Sequence, residues 1–266
     1  MVVFPNAKIN LGLAITNKRA DGYHELETCF YPIPWKDVLE IIPSSSTSFQ
    51  SSGIEIPGEG NIVMSAYEML KEDYNLPPVA IHLLKQIPIG AGLGGGSADA
   101  AFALLLLNDL FNLDIDEQSL INYAVRLGAD CAFFIKNRPM LATGIGEKMT
   151  VANLNLAGKW ICCVFPGLHI STKEAFSGIK PAKPERSISS IIEEEELTSW
   201  RGLLKNDFEE HLFEAYPVLA SIKGELYQAD AEYASMSGSG STIYGVFESK
   251  PNLAFDDSYK VLVDKL

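Results

Sequence analysis

Hydrophobic and polar residues alternate with a period near two in the first part of the chain, the pattern of half-buried strands. The segment VVFPNAKINLGLAIT at residues 2–16 mixes β-branched and aliphatic side chains, and Pro5 imposes an extended or edge geometry, so a strand is predicted there. The turn ADGY follows, and the polar stretch at residues 43–53 is predicted to be a surface segment or a hairpin end. Further strands are predicted at residues 24–31, 38–42 and 79–84.

Apolar spacing changes to a helical period at Asn61, which is placed to cap a helix over residues 61–70. Helices are also predicted from about Ser97 to Phe111 and over residues 116–127, the second ending at Gly128. Short strands are predicted at residues 130–135 and 140–143, and a strand-led section begins at residue 160. A charged and proline-rich loop then leads into a helix, and the last third has helical patterns at residues 206–215 and 218–228 and a strand in STIYGVF.

The composition is that of a soluble globular protein, with 266 residues, 47% hydrophobic and 21% charged. No cationic leader precedes the first strand, and the longest apolar run, residues 100–107, is far too short for a membrane span, so a cytoplasmic protein without a membrane partner is expected. A net charge of −13 argues against nucleic-acid binding. An anionic ligand must therefore be held locally, by backbone amides, helix N-termini and a few lysines.

The densest glycine cluster stands in PIGAGLGGGSADAAFALL at residues 88–105. Gly90, Gly92 and Gly95 satisfy the dinucleotide fingerprint, but the acidic residue expected at the end of a second parallel strand is missing. A Walker loop fails too, because Gly96 stands where its lysine should be. What remains is a loop of exposed amides at a helix N-terminus, which predicts a triphosphate site. The alternative is a tight strand-to-helix turn with Ser97 as its N-cap.

The glycine segment resembles the phosphate-binding motif of the GHMP kinases, the galacto-, homoserine, mevalonate and phosphomevalonate kinases. Six further segments occur in the order of one branch of that family: AKINLGL, RADGYHELET, GAD-x-x-FF, G-x-GE, NDFE and MSGSGST. They are spread from residue 7 to residue 242, so the resemblance extends over essentially the whole chain. Ala98 departs from a common second serine, and Cys131 with Ala132 replaces a frequent Val-Pro.

This resemblance implies an α+β fold of two domains. An ATP-binding domain similar to domain 2 of ribosomal protein S5 is expected at residues 1–152, and a ferredoxin-like GHMP domain at residues 153–266. It also implies ATP-dependent phosphorylation, with Mg²⁺ at an unassigned site, of the 2-hydroxyl of a cytidine-diphosphate-linked methylerythritol in non-mevalonate isoprenoid synthesis. The oligomeric state is not predicted.

The family's catalytic pair falls on Lys8 and Asp130, with Asp130 accepting the hydroxyl proton and Lys8 orienting that hydroxyl. The alternatives are a snorkelling edge-strand lysine and a cap or turn acid. Asn61 and Lys85 match positions near adenine, with an N-cap and a solvated lysine as their alternatives. The phosphate contacts implied by the family are Gly90, Gly92, Gly94, Gly95, Gly96 and Ser97. Asp99, in the first helical turn, would repel phosphate unless it points away or meets a cation.

Recognition of cytosine is assigned to Tyr23, His24 and Phe176, because two aromatic rings can sandwich a base with about 1–3 kcal/mol per base. The alternatives are a turn tyrosine, a strand histidine and a core phenylalanine. Asn10 and Thr172 are expected to contact the erythritol and the diphosphate. A second glycine loop, at residues 238–240, is expected to shape the wall on the substrate side.

Three other functions stay open on the residues alone. Another GHMP acceptor, such as homoserine or mevalonate, would use the same phosphate site. A Rossmann oxidoreductase would bind NAD instead of ATP, and a nucleotide-binding protein without catalysis would bind ATP without turnover.

Overall fold

Strands account for much of the chain in the computed structural model, which describes residues 1–58 and 60–266. They are β1 Val2–Val3, β2 Asn6–Lys18, β3 His24–Lys36, β4 Val38–Pro43, β5 Ser48–Gly53, β6 Val79–Lys85, β7 Met140–Thr143, β8 Lys148–Val151, β9 Trp160–Phe165, β10 Tyr233–Met236, β11 Ile243–Phe247 and β12 Lys260–Lys265.

Helices occupy most of the remaining ordered elements. They are α1 Ile62–Tyr74, α2 Gly95–Phe111, α3 Glu117–Leu127, α4 Cys131–Lys136, α5 Thr172–Ser177, α6 Ile188–Glu194, α7 Glu209–Ala215 and α8 Pro217–Gln228, with a short 3₁₀ turn at Leu197–Ser199. No helix in the described ranges combines the length and apolarity needed to cross a membrane.

The chain divides into two compact units. The first unit comprises Met1–Ala7, Trp35–Ile89 and Gly94–Arg138. Its sheet has the strand order β1-β4-β6-β5, in which β5 pairs parallel to β6 and the other neighbours are antiparallel. α2 packs against α1, α3 and α4, and its residues 100–107 are all apolar, so it forms the centre of this unit's core.

The second unit comprises Lys8–Pro34, Gly90–Leu93 and Pro139–Leu266. It contains the sheets β2-β3-β7-β8 and β10-β11-β9-β12. An apolar cluster from β9, β10 and β11 and from α7 and α8 fills its core; Val164, Leu212, Leu226 and Met236 are among its buried members. Helices and antiparallel sheets are thus present in both units, as an α+β fold requires. The predicted boundary near residue 152 stays a prediction.

One local prediction was wrong, and so was one alternative of a second. Residues 130–135 were predicted to be a strand, but α4 occupies Cys131–Lys136 and ends at Asn137 in a left-handed conformation. A short apolar run buried on every side has no period that separates helix from strand, and its residues are buried from Cys131 to Ile135. Of the two alternatives for residues 43–53, the surface segment is confirmed, because most of these residues are exposed. The hairpin end is wrong, because the stretch contains β5, which adds in parallel to the edge of the sheet.

Candidate active site

Positive φ angles shape the glycine segment that precedes α2. Gly90, Gly92 and Gly94 have φ of 65°, 78° and 69°, a region that residues with a Cβ rarely adopt. Gly94 is the N-cap of α2, and the helix begins at Gly95, two residues earlier than predicted. Ser97 is therefore the third helical residue, and the alternative in which it caps the helix is wrong.

The backbone amides at the N-terminus of α2 have no side-chain cap. Gly94 has no side chain to cap them, and the first N–H groups of a helix have no partner within the helix. Gly96 is exposed, and within the described chain a Cβ built on it would meet no atom within 4 Å apart from its own helix backbone and chain neighbours. Half-buried Ser97 follows it. This terminus, residues 94–97, can bind an anion through the amides and the helix dipole.

In the second unit, Gly92 lies against the second glycine loop. A Cβ on Gly92 would come within 2.0 Å of the Ser237 carbonyl oxygen, so no other residue fits there without movement of the backbone. Asn206 holds this loop: its Nδ2 donates to the carbonyl oxygens of Met236 and Gly238, each at 2.8 Å. The two loops thus form one packed element within the second unit.

Lys8 is buried, with 4% of its surface exposed, so the snorkelling alternative is wrong. Its Nζ donates to Asn10 Oδ1 at 2.7 Å and to the Gly92 carbonyl oxygen at 3.2 Å. Asn10 Nδ2 in turn donates to Thr28 Oγ1 at 3.0 Å, and that hydroxyl donates to the Gly12 carbonyl oxygen at 2.5 Å. This chain of hydrogen bonds fixes the orientation of the Asn10 amide, so its oxygen faces the ammonium.

Asp130 occupies the N-cap position of α4 in the first unit, half-buried, with φ −76° and ψ −15°. Its carboxylate makes no capping hydrogen bond to α4 in the described structure, so a helix cap does not explain this acid. Lys8 belongs to the second unit. The pairing of Lys8 with Asp130 stays a prediction, as does the joint contact of the glycines with phosphate.

Lys85 forms a buried ion cluster with Asp37 and Asp99 in the first unit. Its Nζ donates to Asp37 Oδ2 and, at 2.7 Å, to Asp99 Oδ2. The solvated alternative for Lys85 is therefore wrong. Asp99 points away from the exposed face of the helix terminus, and it pairs with a cation, Lys85. Either arrangement makes this acid compatible with a phosphate site.

Asn61 caps α1, since its Oδ1 accepts a hydrogen bond from the Val63 amide at 2.8 Å, so the capping alternative is confirmed. It also lines an open groove of about 860 Å³ along α1 with Met64, Ser65 and Glu68. Lys85 is not among the described residues that line this groove. This groove therefore does not contain both predicted adenine contacts, and their role stays a prediction.

The predicted cytosine site contains a preformed ring stack in the second unit. The rings of His24 and Phe176 are 4.7 Å apart and 23° from parallel, and Phe176 also meets Phe208 edge-on at 4.9 Å. Burial, and less strongly the charge of Lys18, lowers the pKa of His24, which favours the neutral imidazole. Tyr23 is 61% exposed beside the turn, and Thr172 is an exposed residue at the start of α5.

Several residues that build the site were not singled out from sequence: Thr28, Asp37, Asn206 and Ser237. Asn206 and Ser237 fall in the segments NDFE and MSGSGST, so the motifs were the available signal. Thr28 is the last residue of RADGYHELET, so a motif contained it as well, whereas Asp37 lies in no motif and its partner Lys85 is 48 positions away. No group of three or more His, Cys, Asp or Glu side chains in the described part of the chain could hold a metal ion.

Comparisons with known proteins agree with this architecture. The chain matches the GHMP kinases N terminal domain over residues 61–138 and the GHMP kinases C terminal domain over residues 188–256. It is 49% identical over 264 residues to 4-diphosphocytidyl-2-C-methyl-D-erythritol kinase of Cytophaga hutchinsonii, covering 98% of this chain and 97% of that protein. The enzyme of the same name from Bacteroides fragilis is 52% identical, over 95% of this chain and 94% of its own.

Solved structures show the same relationship. A crystal structure of 4-(cytidine 5'-diphospho)-2C-methyl-D-erythritol kinase superposes with a TM-score of 0.79 at 34% identity, covering 92% of this chain and 90% of that one. Methanococcus jannaschii mevalonate kinase gives 0.69 at 13% identity over 93% and 90% of the two chains, which shows a shared fold. The predicted α+β class and the resemblance stated from sequence are confirmed.

Proposed function

The chain belongs to the GHMP kinase family, and we propose that it transfers a phosphoryl group from ATP to the 2-hydroxyl of 4-diphosphocytidyl-2-C-methyl-D-erythritol. The observation that carries the proposal is identity of 49% and 52% to kinases named for this substrate, over nearly the whole chain. The reaction belongs to non-mevalonate isoprenoid synthesis. The oxidoreductase alternative is wrong, because both halves of the chain match kinase domains.

The triphosphate of ATP binds at the glycine segment and the N-terminus of α2. Successive amides at residues 94–97 and the positive end of the helix dipole supply donors and charge without a Walker lysine. Open space over Gly96 leaves room for a phosphate close to the backbone. The phosphates are therefore held by groups that are already in place before binding, which lowers the cost of ordering them.

Lys8 and Asp130 carry the chemistry. Asp130 accepts the proton of the attacking hydroxyl, and Lys8 orients that hydroxyl and offsets negative charge on the transferred phosphoryl group. The hydrogen bond from Lys8 Nζ to Asn10 Oδ1 supports this role, because it fixes the ammonium inside the protein before substrate arrives. Mg²⁺ accompanies ATP in this family, but no cluster of candidate ligands is present among the described residues, and no step is assigned to it.

Cytosine is bound at the ring pair of His24 and Phe176, with exposed Tyr23 as a second aromatic face. A neutral imidazole can both donate and accept a hydrogen bond, as recognition of a base edge requires. Asn10 and Thr172 contact the erythritol and diphosphate.

An acceptor panel tests the proposal. Release of ADP from ATP is measured with the full chain and, in parallel, the cytidine-containing substrate, mevalonate and homoserine. Turnover with the cytidine-containing acceptor alone supports the proposal. Preference for an acceptor without cytidine would contradict the substrate assignment, and binding of ATP without turnover on any acceptor would leave a nucleotide-binding protein.

A further inference from the structure

A complete ion cluster is buried beneath the first turn of α2. Lys85, Asp37 and Asp99 have 3%, 0% and 2% of their surfaces exposed. A Cβ built on Gly95 would lie 2.9 Å from Lys85 Nζ, so the cluster touches the backbone of the first helical residue. A change in the charge of this cluster therefore changes the electrostatic potential at the N-terminus of the helix, the proposed phosphate site.

The two carboxylates of this cluster are not equivalent. Asp37 accepts hydrogen bonds from Lys85 and from the amides of Gln86 and Ile87, at 2.5 and 2.9 Å for the amides. Asp99 Oδ2 accepts one from Lys85, but its Oδ1 is buried and has no hydrogen-bond partner among the described residues. The ionised form of Asp99 is thus the less well satisfied of the two, and an unmet buried charge is costly.

The charge count points to the same residue. One ammonium and two ionised carboxylates leave a charge of −1 under a helix terminus that is proposed to bind a polyanion. Asp37 and Lys85 are the charged groups that act on Asp99. Burial, and also the charge of Asp37, raises the pKa of Asp99 to about 8, although the Lys85 ammonium opposes the rise. A proton on Asp99 makes the cluster neutral.

We infer that, at a pH where Asp99 is ionised in the free protein, its carboxylate takes up a proton from the solvent when the triphosphate of ATP binds at the N-terminus of α2. The inference rests on the proposed function, which places the triphosphate there. The negative charge of the phosphates disfavours the ionised carboxylate below them, so the proton moves from the buffer to the Asp99 carboxylate and no other bond changes. ATP binding and proton binding are then linked, with the cluster between them.

Calorimetry measures this linkage directly. ATP, with Mg²⁺ in excess and without acceptor, is titrated into the full chain in buffers of different ionisation enthalpy. At about pH 8.5, where Asp99 is largely ionised in the free protein, we expect an uptake of roughly half a proton per ATP bound. Asp99→Asn, which keeps an acceptor for Lys85, loses this uptake. Asp109→Asn, an exposed acid on the same helix, keeps it.

Each result is decisive. ATP binding to the wild-type chain without proton uptake, or equal uptake by Asp99→Asn, overturns the inference and leaves the proposed function intact. A wild-type chain that does not bind ATP at all overturns both. If Asp99→Asn fails to fold, the wild-type titration in the different buffers still decides, because absence of uptake there is sufficient to reject the linkage.

Discussion

The hydroxyl of Ser237 donates a 2.8 Å hydrogen bond to the carbonyl oxygen of Gly92, although the two residues are 145 positions apart. The Ser237 carbonyl oxygen occupies the space that a Cβ on Gly92 would need. Gly92 is therefore required by packing as well as by its positive φ. Gly96 differs from Gly92: it is exposed, and apart from its own helix and chain neighbours a Cβ built on it would meet no described atom within 4 Å.

Gly92→Ala is expected to destabilise the protein. The added Cβ would lie 2.0 Å from the Ser237 carbonyl oxygen at a φ of +78°, and backbone strain of this kind costs about 1–3 kcal/mol before any rearrangement of the second glycine loop. Urea unfolding of the variant and the wild-type chain measures the loss. Gly224→Ala is the matched control. Gly224 lies in α8, and a Cβ built on it would meet no described atom within 4 Å outside its own helix, so this change should not destabilise the protein.

Gly96→Ala should separate stability from nucleotide binding. Alanine in a helix is favoured over glycine by roughly 0.5–1 kcal/mol, so the free energy of unfolding should be unchanged or slightly higher. The methyl group, however, enters the space proposed for a phosphate, so affinity for ATP should fall. Wild-type affinity in a titration of Gly96→Ala would show that the phosphates do not lie over this residue.

Thr28→Val is expected to lower kcat while leaving KM for ATP near its wild-type value. The change removes the acceptor of Asn10 Nδ2 and the donor to the Gly12 carbonyl oxygen, at about 1–3 kcal/mol for each buried group left unpaired. The Asn10 amide can then turn its oxygen away from Lys8. Thr28→Ser keeps the hydroxyl and should retain kcat, and an equal loss in both variants would count against the hydrogen-bond chain.

The stability of the protein should depend on pH through Asp99. Its pKa is raised from 3.8 to about 8 in the folded state, so the folded chain binds this proton more tightly than the unfolded chain. The contribution of Asp99 to the free energy of unfolding is fully present below pH 3.8 and is lost as the pH rises toward 8. Asp99→Asn should therefore become progressively more stable relative to wild type between about pH 5 and about pH 9. A difference in unfolding free energy that does not change with pH would contradict this.

Asp130→Asn should lose ADP release with the cytidine-containing acceptor, by about 10²–10⁴-fold if the carboxylate is the general base. The melting temperature should stay close to that of wild type, because asparagine has nearly the size of aspartate and keeps a carbonyl oxygen acceptor at the same position. Asp114→Asn, another acid in the first unit, is the control and should keep its activity. Full turnover by Asp130→Asn would remove this residue from the mechanism.

Local signals predicted local structure well. Asn61 was recognised as a helix cap because its partner, Val63, is two residues away. Residues 130–135 were misassigned, because a short run without polar positions has no period. Glycine density predicts an anion site built from backbone amides, which stays a prediction, but it does not predict that Gly94 rather than Ser97 caps α2.

Partners far apart in the chain could not be predicted in the same way. The sequence alone does not decide whether Lys85 contacts adenine or is a solvated side chain. Its burial depends on Asp37, which is 48 positions away. Thr28 acquires its role only when β2 and β3 pair, which brings its hydroxyl to Asn10. Residue types and spacing identify such groups only through a family motif: Thr28 ends the segment RADGYHELET, but its role there is not visible in the motif, and Asp37 lies in no motif.

The most direct test of the proposed activity is the proton-coupled phosphorus NMR spectrum of the product formed by the full chain from ATP and 4-diphosphocytidyl-2-C-methyl-D-erythritol. Carbon 2 of the methylerythritol carries a methyl group and no hydrogen, so a phosphate on its oxygen has no hydrogen on the adjoining carbon to couple with. One new phosphomonoester signal without this coupling is expected, together with the signals of ADP. A new signal split by hydrogens on the adjoining carbon, or ADP formed without any new phosphomonoester, would contradict it.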